Sequence, residues 1–159
     1  MKVFRAVLVA CVVGLAGMTA GAGPARAASV TIISEIDNQT SGPLYVYNLE
    51  DHQKFTIAPG DKWPGTTWVP WVSSDAEMWG KNIIIRSAHH DYYVFQDYSD
   101  PGNAVKYSEN RRYQGAVALS GGTGGGVKIL VVNSDEALSM TNVPRLPLPP
   151  QPYLAGHRR

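Results

Sequence analysis

Aromatic side chains carry the most distinctive chemistry in this sequence. All four tryptophans fall within Lys62–Trp79, and Trp68 and Trp71 stand on either side of Pro70. In a regular strand, residues three apart face opposite sides of the sheet. A bend at Pro70 would instead turn both indoles to the inside. The sequence leaves these two arrangements open: both rings inside, or one ring facing outward.

Tyrosines form a second set of candidate ligand-contacting rings. Tyr45 and Tyr47 alternate with aliphatic residues in the run Leu44–Asn48, so both rings project outward if the aliphatic side faces the core. The same alternation turns Tyr92 outward if its neighbours in the run Tyr92–Gln96 face inward. We therefore expect an exposed aromatic patch on the folded domain.

Exposed rings flanked by amides and carboxylates are typical of carbohydrate-binding surfaces, where rings stack on pyranose faces and polar groups hold hydroxyls. The sequence thus predicts a non-enzymatic binding module for carbohydrate or another cell-surface component. The predicted ligand-binding residues are Trp68, Trp71, Tyr45, Tyr47 and Tyr92. One alternative is a membrane-active protein, lipid-binding or cytolysin-like, with an aromatic belt at the bilayer interface. A secreted inhibitor or a structural protein is a further alternative.

No catalytic or metal site is predicted. A Gly-x-Ser-x-Gly nucleophile motif is absent from the sequence, and the only cysteine is Cys11. Several aspartates lie in predicted turns, where Asp is common; whether two of them meet in space as an acid and a nucleophile is left open. His89-His90-Asp91 is interpreted as a polar turn, because adjacent residues on a strand cannot face one metal. No cofactor is predicted.

Two further motifs have ordinary structural interpretations. The glycine run Gly121–Gly126 lacks the Lys-Ser or Lys-Thr and the helix of a phosphate loop, so it predicts a flexible hairpin loop between two strands. Asn38-Gln39-Thr40 fits the N-glycosylation acceptor pattern and lies in a predicted turn.

The N-terminal region, residues 1–28, resembles a secretory signal peptide. A short basic region precedes an apolar run, which ends before the small-x-small pattern Ala25-Arg26-Ala27. We expect cleavage after Ala27 or Ala28 and a secreted, extracellular protein. Removing the signal takes Cys11 and three of the fourteen basic residues, but none of the thirteen acidic ones, which leaves a formal charge of −2. That charge gives no indication of a nucleic-acid partner.

The remaining chain is predicted to be one all-β domain, residues 29–143, followed by a proline-rich basic tail, residues 144–159, which is expected to be disordered. Helical periodicity is nearly absent, apart from one turn near Ser74–Trp79. Short apolar or alternating runs recur between turn-forming residues, which is typical of a sandwich or small barrel. The fold class predicted is a single-domain antiparallel β-sandwich, or small barrel, of about nine short strands, the first three forming a meander. The nine predicted strands are Val30–Ile33, Leu44–Asn48, Lys54–Ile57, Asn82–Arg86, Tyr92–Gln96, Ala104–Tyr107, Gln114–Ser120, Val127–Val132 and Leu138–Thr141.

Overall fold

The computed structural model describes residues 29–144. The predicted signal sequence lies outside the described residues, and so does the proline-rich tail beyond Pro144. Within the described range, no helix is long and apolar enough to cross a membrane.

Strands and turns make up almost all of the described chain, as predicted. Each of the nine predicted segments contains a strand, but the strand count of nine is wrong, because three two-residue strands lie in the tryptophan segment. The single helical turn is a 3-10 turn at Glu77–Trp79. The strands are β1 (Thr31–Asn38), β2 (Leu44–Asn48), β3 (Lys54–Ile57), β4 (Lys62–Trp63), β5 (Thr67–Trp68), β6 (Trp71–Val72), β7 (Ile83–Arg86), β8 (Asp91–Asp97), β9 (Val105–Ser108), β10 (Val117–Ala118), β11 (Gly126–Val132) and β12 (Leu138–Asn142).

The strands form two sheets. A five-stranded sheet has the order β12-β11-β1-β4, and β5 also pairs with β1. A seven-stranded sheet has the order β10-β9-β8-β7-β2-β3, and β6 also pairs with β8. All pairings are antiparallel except β1 with β11 and β6 with β8. Two mainly antiparallel sheets in an all-β chain are consistent with the predicted β-sandwich.

One hydrophobic core is shared by the two sheets. Ile33, Ile36 and Leu130 enter it from the five-stranded sheet, while Val46 and Ile85 enter it from the seven-stranded sheet. Side chains that alternate with these residues face away from the core, since successive residues of a strand point to opposite faces. Each sheet therefore has an outer face on which a binding surface can be built.

Gln96 links the two sheets through hydrogen bonds. Its side chain is fully buried, and its Oε1 accepts a hydrogen bond from the backbone N of Thr31 at 3.0 Å. Its Nε2 donates to the backbone O of Ser29 at 2.9 Å and of Asn103 at 3.0 Å. A buried amide is tolerated in the core because its polar atoms have partners.

Two predicted connections are wrong. β1 does not form a meander with β2 and β3; it pairs with β11 in the other sheet, while β2 and β3 pair with each other. The strands on either side of the glycine run also belong to different sheets, so the run is not a hairpin loop. Nor is it an open loop, because a Cβ at Gly124 would lie 2.1 Å from the backbone O of Asn103.

Candidate functional site

The four tryptophans take three different positions. Trp63 stacks on Phe55, with ring centroids 4.0 Å apart, and packs against the main core. Trp79 is 68% exposed, with the Arg111 guanidinium 4.5 Å from its ring centroid. Trp68 and Trp71 line the same open concavity. The arrangement with both rings inside is wrong, since Trp68 is 42% exposed and the half-buried Trp71 lines the same concavity.

A change of sheet between Trp68 and Trp71 explains this arrangement. Trp68 ends β5, which pairs with β1, whereas Trp71 begins β6, which pairs with β8. Val69 between them is buried, and the O of Pro70 accepts a hydrogen bond from the N of Gln96 at 2.8 Å. The chain thus leaves one sheet and enters the other at Val69-Pro70. This interrupts the alternation that would place residues three apart on opposite faces.

The turn between β2 and β3 supplies a carboxylate next to Trp68. The Nε1 of Trp68 donates a hydrogen bond to Glu50 Oε2 at 3.3 Å. Buried Asn48 fixes this turn against β5, because its Nδ2 donates to Thr67 Oγ1 at 2.8 Å and to the O of Trp68 at 3.0 Å. The concavity has a volume of about 400 Å³ and is lined by Val30, Ile32, Glu50, Thr66, Trp68 and Trp71.

A second concavity of about 380 Å³ shares Trp71 with the first. It is lined by Trp71, Ser73, Glu77, Lys81 and Tyr98. Tyr98 is 65% exposed and meets Trp71 edge-on, with centroids 5.7 Å apart. We call the two adjoining concavities the tryptophan groove. Each of their volumes lies in the range of about 300–1,000 Å³ that is usual for small-molecule sites.

Ionised groups line the far end of the tryptophan groove. Glu77 Oε2 accepts hydrogen bonds from the N and Oγ of Ser73, both at 2.8 Å. Its Oε1 accepts one from Lys81 Nζ at 3.1 Å. These bonds, led by those from Ser73, hold the pKa of Glu77 below its usual value. The groove therefore offers a carboxylate and an ammonium group beside its aromatic rings.

The predicted tyrosines divide into two groups. Tyr45 and Tyr47 lie on the outer face of the seven-stranded sheet, with Tyr45 54% exposed, because Leu44 and Val46 fill the core as the alternation requires. They line a concavity of their own that shares no residue with the tryptophan groove. The structure therefore does not bring all five predicted ligand-binding residues into one site.

The outward placement expected for Tyr92 is wrong. This residue is 4% exposed and lies in the main core, where it meets Tyr107 edge-on. Its hydroxyl donates to the backbone O of Glu136 at 2.7 Å, and burial raises its pKa to about 12. On the other face of β8, Phe95 is covered by a second apolar cluster that includes Met78. Both faces of β8 are thus covered, a feature that alternation along one strand does not reveal.

Four aspartates stabilise the turns in which they lie. Asp51, Asp97, Asp100 and Asp135 each accept a hydrogen bond from the backbone N two residues later, at 2.7–3.1 Å. This is the Asx-turn geometry. Asp97 and Asp100 do approach each other, but Lys106 Nζ lies between them, 2.7 Å and 3.6 Å from their carboxylates. The carboxylates that come together here are held by a cation.

The three polar residues His89, His90 and Asp91 contact three different partners. His89 Nδ1 lies 2.8 Å from Glu136 Oε1, and His90 Nδ1 lies 3.3 Å from Glu109 Oε2. Asp91 accepts two hydrogen bonds from the guanidinium group of Arg86. Over residues 29–144, no group of three or more potential metal ligands lies close enough to hold a metal ion.

Glu50 and the polar end of the groove were not identified from the sequence. Glu50 lies 18 residues from Trp68, in an ordinary polar turn, and hydrogen bonds of Asn48 and Asp51 to β5 bring that turn to the groove. Tyr98 reaches the surface in the turn that follows β8, although Gln96, two residues earlier, is buried. No sequence signal connects these positions to the tryptophans.

Comparisons with protein-family models, with curated proteins and with solved structures find no match for this chain.

Proposed function

We propose that this protein is a secreted carbohydrate-binding module that holds an oligosaccharide in the tryptophan groove. The observation that carries the proposal is the shared outward placement of Trp68 and Trp71, with Tyr98 beside them. Aromatic rings offer flat apolar surfaces to the C–H faces of sugars. Groups that hydrogen-bond hydroxyls stand next to these rings, namely Glu50 and Glu77.

The groove is suited to a chain of sugars rather than a single one. Trp71 belongs to both concavities, so it would contact adjoining sugar units, while Trp68 and Tyr98 would each contact one end. The carboxylate of Glu50 fixes the indole of Trp68 through its Nε1, which limits the rotamer freedom that binding would otherwise remove. Because the indole of Trp68 is already oriented before the ligand binds, less conformational entropy is lost on binding and the affinity is higher.

The proposal is tested by titrating the purified protein with β-1,4-linked glucose and N-acetylglucosamine oligosaccharides, from disaccharide to hexasaccharide. Calorimetry gives the affinity, and iodide quenching of tryptophan fluorescence reports protection of the exposed indoles. We expect affinity to increase with length until both concavities are occupied. Trp71→Ala is expected to weaken binding at least tenfold, which corresponds to about 1.4 kcal/mol, and more than Trp68→Ala does.

Trp79→Ala is the matched control, because Trp79 is an exposed indole that lines neither concavity. If Trp68→Ala and Trp71→Ala fold and bind sugars as well as Trp79→Ala, the groove is not the site. Liposomes serve as a second probe: binding to vesicles without binding to any oligosaccharide would support the membrane-active alternative instead. Export is tested separately by sequencing the N-terminus of protein recovered from the culture medium, where a start at Ala28 or Ser29 is expected.

A further inference from the structure

A second concave surface lies on the outer face of the seven-stranded sheet. It is formed where β2 lies between β3 and β7, so that Tyr45 stands between Thr56 and Arg86, and Tyr47 stands between Lys54 and Ile84. The concavity has a volume of about 400 Å³. We call it the tyrosine groove. Because strands in one sheet have fixed cross-strand neighbours, the spacing of these side chains is determined by the sheet.

The tyrosine groove differs from the tryptophan groove in charge. Its lining residues include Lys54 and Arg86 but no aspartate or glutamate. Lys54 is exposed, and it makes no ion pair among residues 29–144. Asp91 pairs with Arg86 beside the groove, so the positive charge that attracts an anionic ligand comes chiefly from Lys54.

Arg86 is held in a fixed orientation beside Tyr45. Its Nε donates to Asp91 Oδ1 at 2.7 Å, and its Nη2 donates to Asp91 Oδ2 at 2.9 Å. This bidentate pair leaves the Nη1 side of the guanidinium free for another acceptor. The side chain of Arg86 remains 60% exposed, so a ligand can reach it. Lys54 then supplies the uncompensated positive charge, and Arg86 supplies a directed donor.

We propose that the tyrosine groove is a second binding site, for an acidic saccharide. The sugar ring stacks on Tyr45 and Tyr47, and its carboxylate or sulfate group is held by Lys54 and Arg86. A neutral sugar should bind this groove with lower affinity, because no carboxylate lines the groove to accept hydrogen bonds from its hydroxyl groups. The proposal stands independently of the proposed function, since the two grooves share no lining residue.

The test uses three soluble probes on the purified protein: oligogalacturonate for a carboxylate, a heparin-derived oligosaccharide for a sulfate, and a neutral β-1,4-glucose oligosaccharide. We expect at least one acidic probe to bind, more weakly as salt increases, and the neutral probe not to compete with it. Lys54→Gln is expected to weaken acidic-probe binding at least fivefold and to reduce its salt dependence. Tyr45→Ala is expected to weaken it while the salt dependence persists.

Lys62→Gln is the matched control, because it removes the same charge from the other sheet, where Lys62 pairs with Glu35. Equal losses in Lys62→Gln and Lys54→Gln would mean that only net charge matters and would overturn the site. Preference for anionic vesicles over both acidic saccharides, or binding of neither saccharide, would overturn the ligand class. Trp71→Ala should retain acidic-probe binding, so failure of one groove is distinguished from failure of the other. Tyr45→Phe, which keeps the ring, serves as the check on folding.

Discussion

Asn38 is the residue whose replacement we expect to damage the fold most for its size. Its side chain is fully buried at the end of β1. The Nδ2 group donates to the backbone O of Gly42, Ile57 and Ala58 at 2.9–3.1 Å. The Oδ1 atom accepts hydrogen bonds from the N and Oγ1 of Thr40 at 3.0 Å and 2.7 Å. Asn38→Ala removes every one of these bonds at once.

The expected loss follows from counting hydrogens. The amide group of Asn38 has two hydrogens to donate, which the three carbonyl oxygens share. Its oxygen accepts two further hydrogen bonds, so the substitution removes four hydrogen bonds in total. At about 1 kcal/mol each, the free energy of unfolding should fall by about 4 kcal/mol. That is a large part of the roughly 5–15 kcal/mol by which domains are stable. Asn38→Asp should cost at least as much, because it places an oxygen against three carbonyl oxygens.

Urea unfolding followed by tryptophan emission measures this loss. Asn133→Ala is the matched control, because the Nδ2 of Asn133 makes one exposed hydrogen bond, to the O of Ala137 at 3.0 Å. We expect Asn133→Ala to cost less than about 1 kcal/mol. A cost for Asn38→Ala as small as that of the control would refute the reasoning, since it would mean that the buried carbonyls find other partners.

The same geometry bears on the glycosylation motif Asn38-Gln39-Thr40. The glycan acceptor atom of asparagine is Nδ2, and in this fold Nδ2 is buried and bonded to backbone carbonyls. A glycan at Asn38 would break these bonds. Protein produced in a glycosylating host should therefore be folded and unmodified at Asn38, which mass spectrometry of the native protein measures.

Two further predictions concern stability. Asp97 is nearly buried, and although burial alone would raise its pKa, hydrogen bonds from Lys106 and Tyr113 outweigh that effect and hold the pKa below its usual value. Because the folded pKa is depressed, the stabilisation is complete above the unfolded value of about 3.9 and is lost as the pH falls through the folded pKa. Asp97→Asn should cost about 2 kcal/mol at pH 7 and flatten the acid limb of a stability-against-pH curve; an unchanged acid limb would contradict this. Gly124→Ala should lower the free energy of unfolding by about 1–3 kcal/mol in chemical denaturation, since its Cβ would overlap a backbone oxygen. Gly80→Ala is the control, because Gly80 has open space around it, and it should change the free energy of unfolding by no more than about 0.5 kcal/mol. Equal effects of the two substitutions would contradict the packing argument.

Local patterns were sufficient to predict strands but not their partners. The runs Leu44–Asn48 and Lys54–Ile57 have the predicted bounds, because alternation and the turn between them are contained in the same short stretch. β1 was placed beside β2 on the basis of sequence order. It pairs instead with β4 and β5 on one side and with β11, more than 90 residues away, on the other, and no property of Thr31–Asn38 specifies these partners.

The errors at the candidate site have a related cause. The prediction for Tyr92 assumed that Phe95 faces the main core, whereas Phe95 is buried with Met78 on the opposite face of β8 and Tyr92 is the residue that lies in the main core. Glu50 reaches the tryptophan groove because Asn48 and Asp51 hydrogen-bond its turn to β5. Alternation predicts which residues share a face of a strand. It does not predict which face another part of the chain will cover.

The distribution of tryptophan between core and surface is the strongest argument that the tryptophan groove has a function. The main core consists of isoleucine, valine, leucine and methionine with Tyr92, and it contains no fully buried indole. Indoles are usually well buried, because each can remove a large apolar area from water. Trp68 is 42% exposed even though its strand has a core-facing position at Thr67, one residue away. Fold stability alone would favour an indole at the core-facing position of this strand. The change of sheet at Val69-Pro70 then places Trp71 in the same concavity as Trp68. Fold stability alone therefore does not account for the outward position of Trp68, which is the reason for proposing this groove as the binding site.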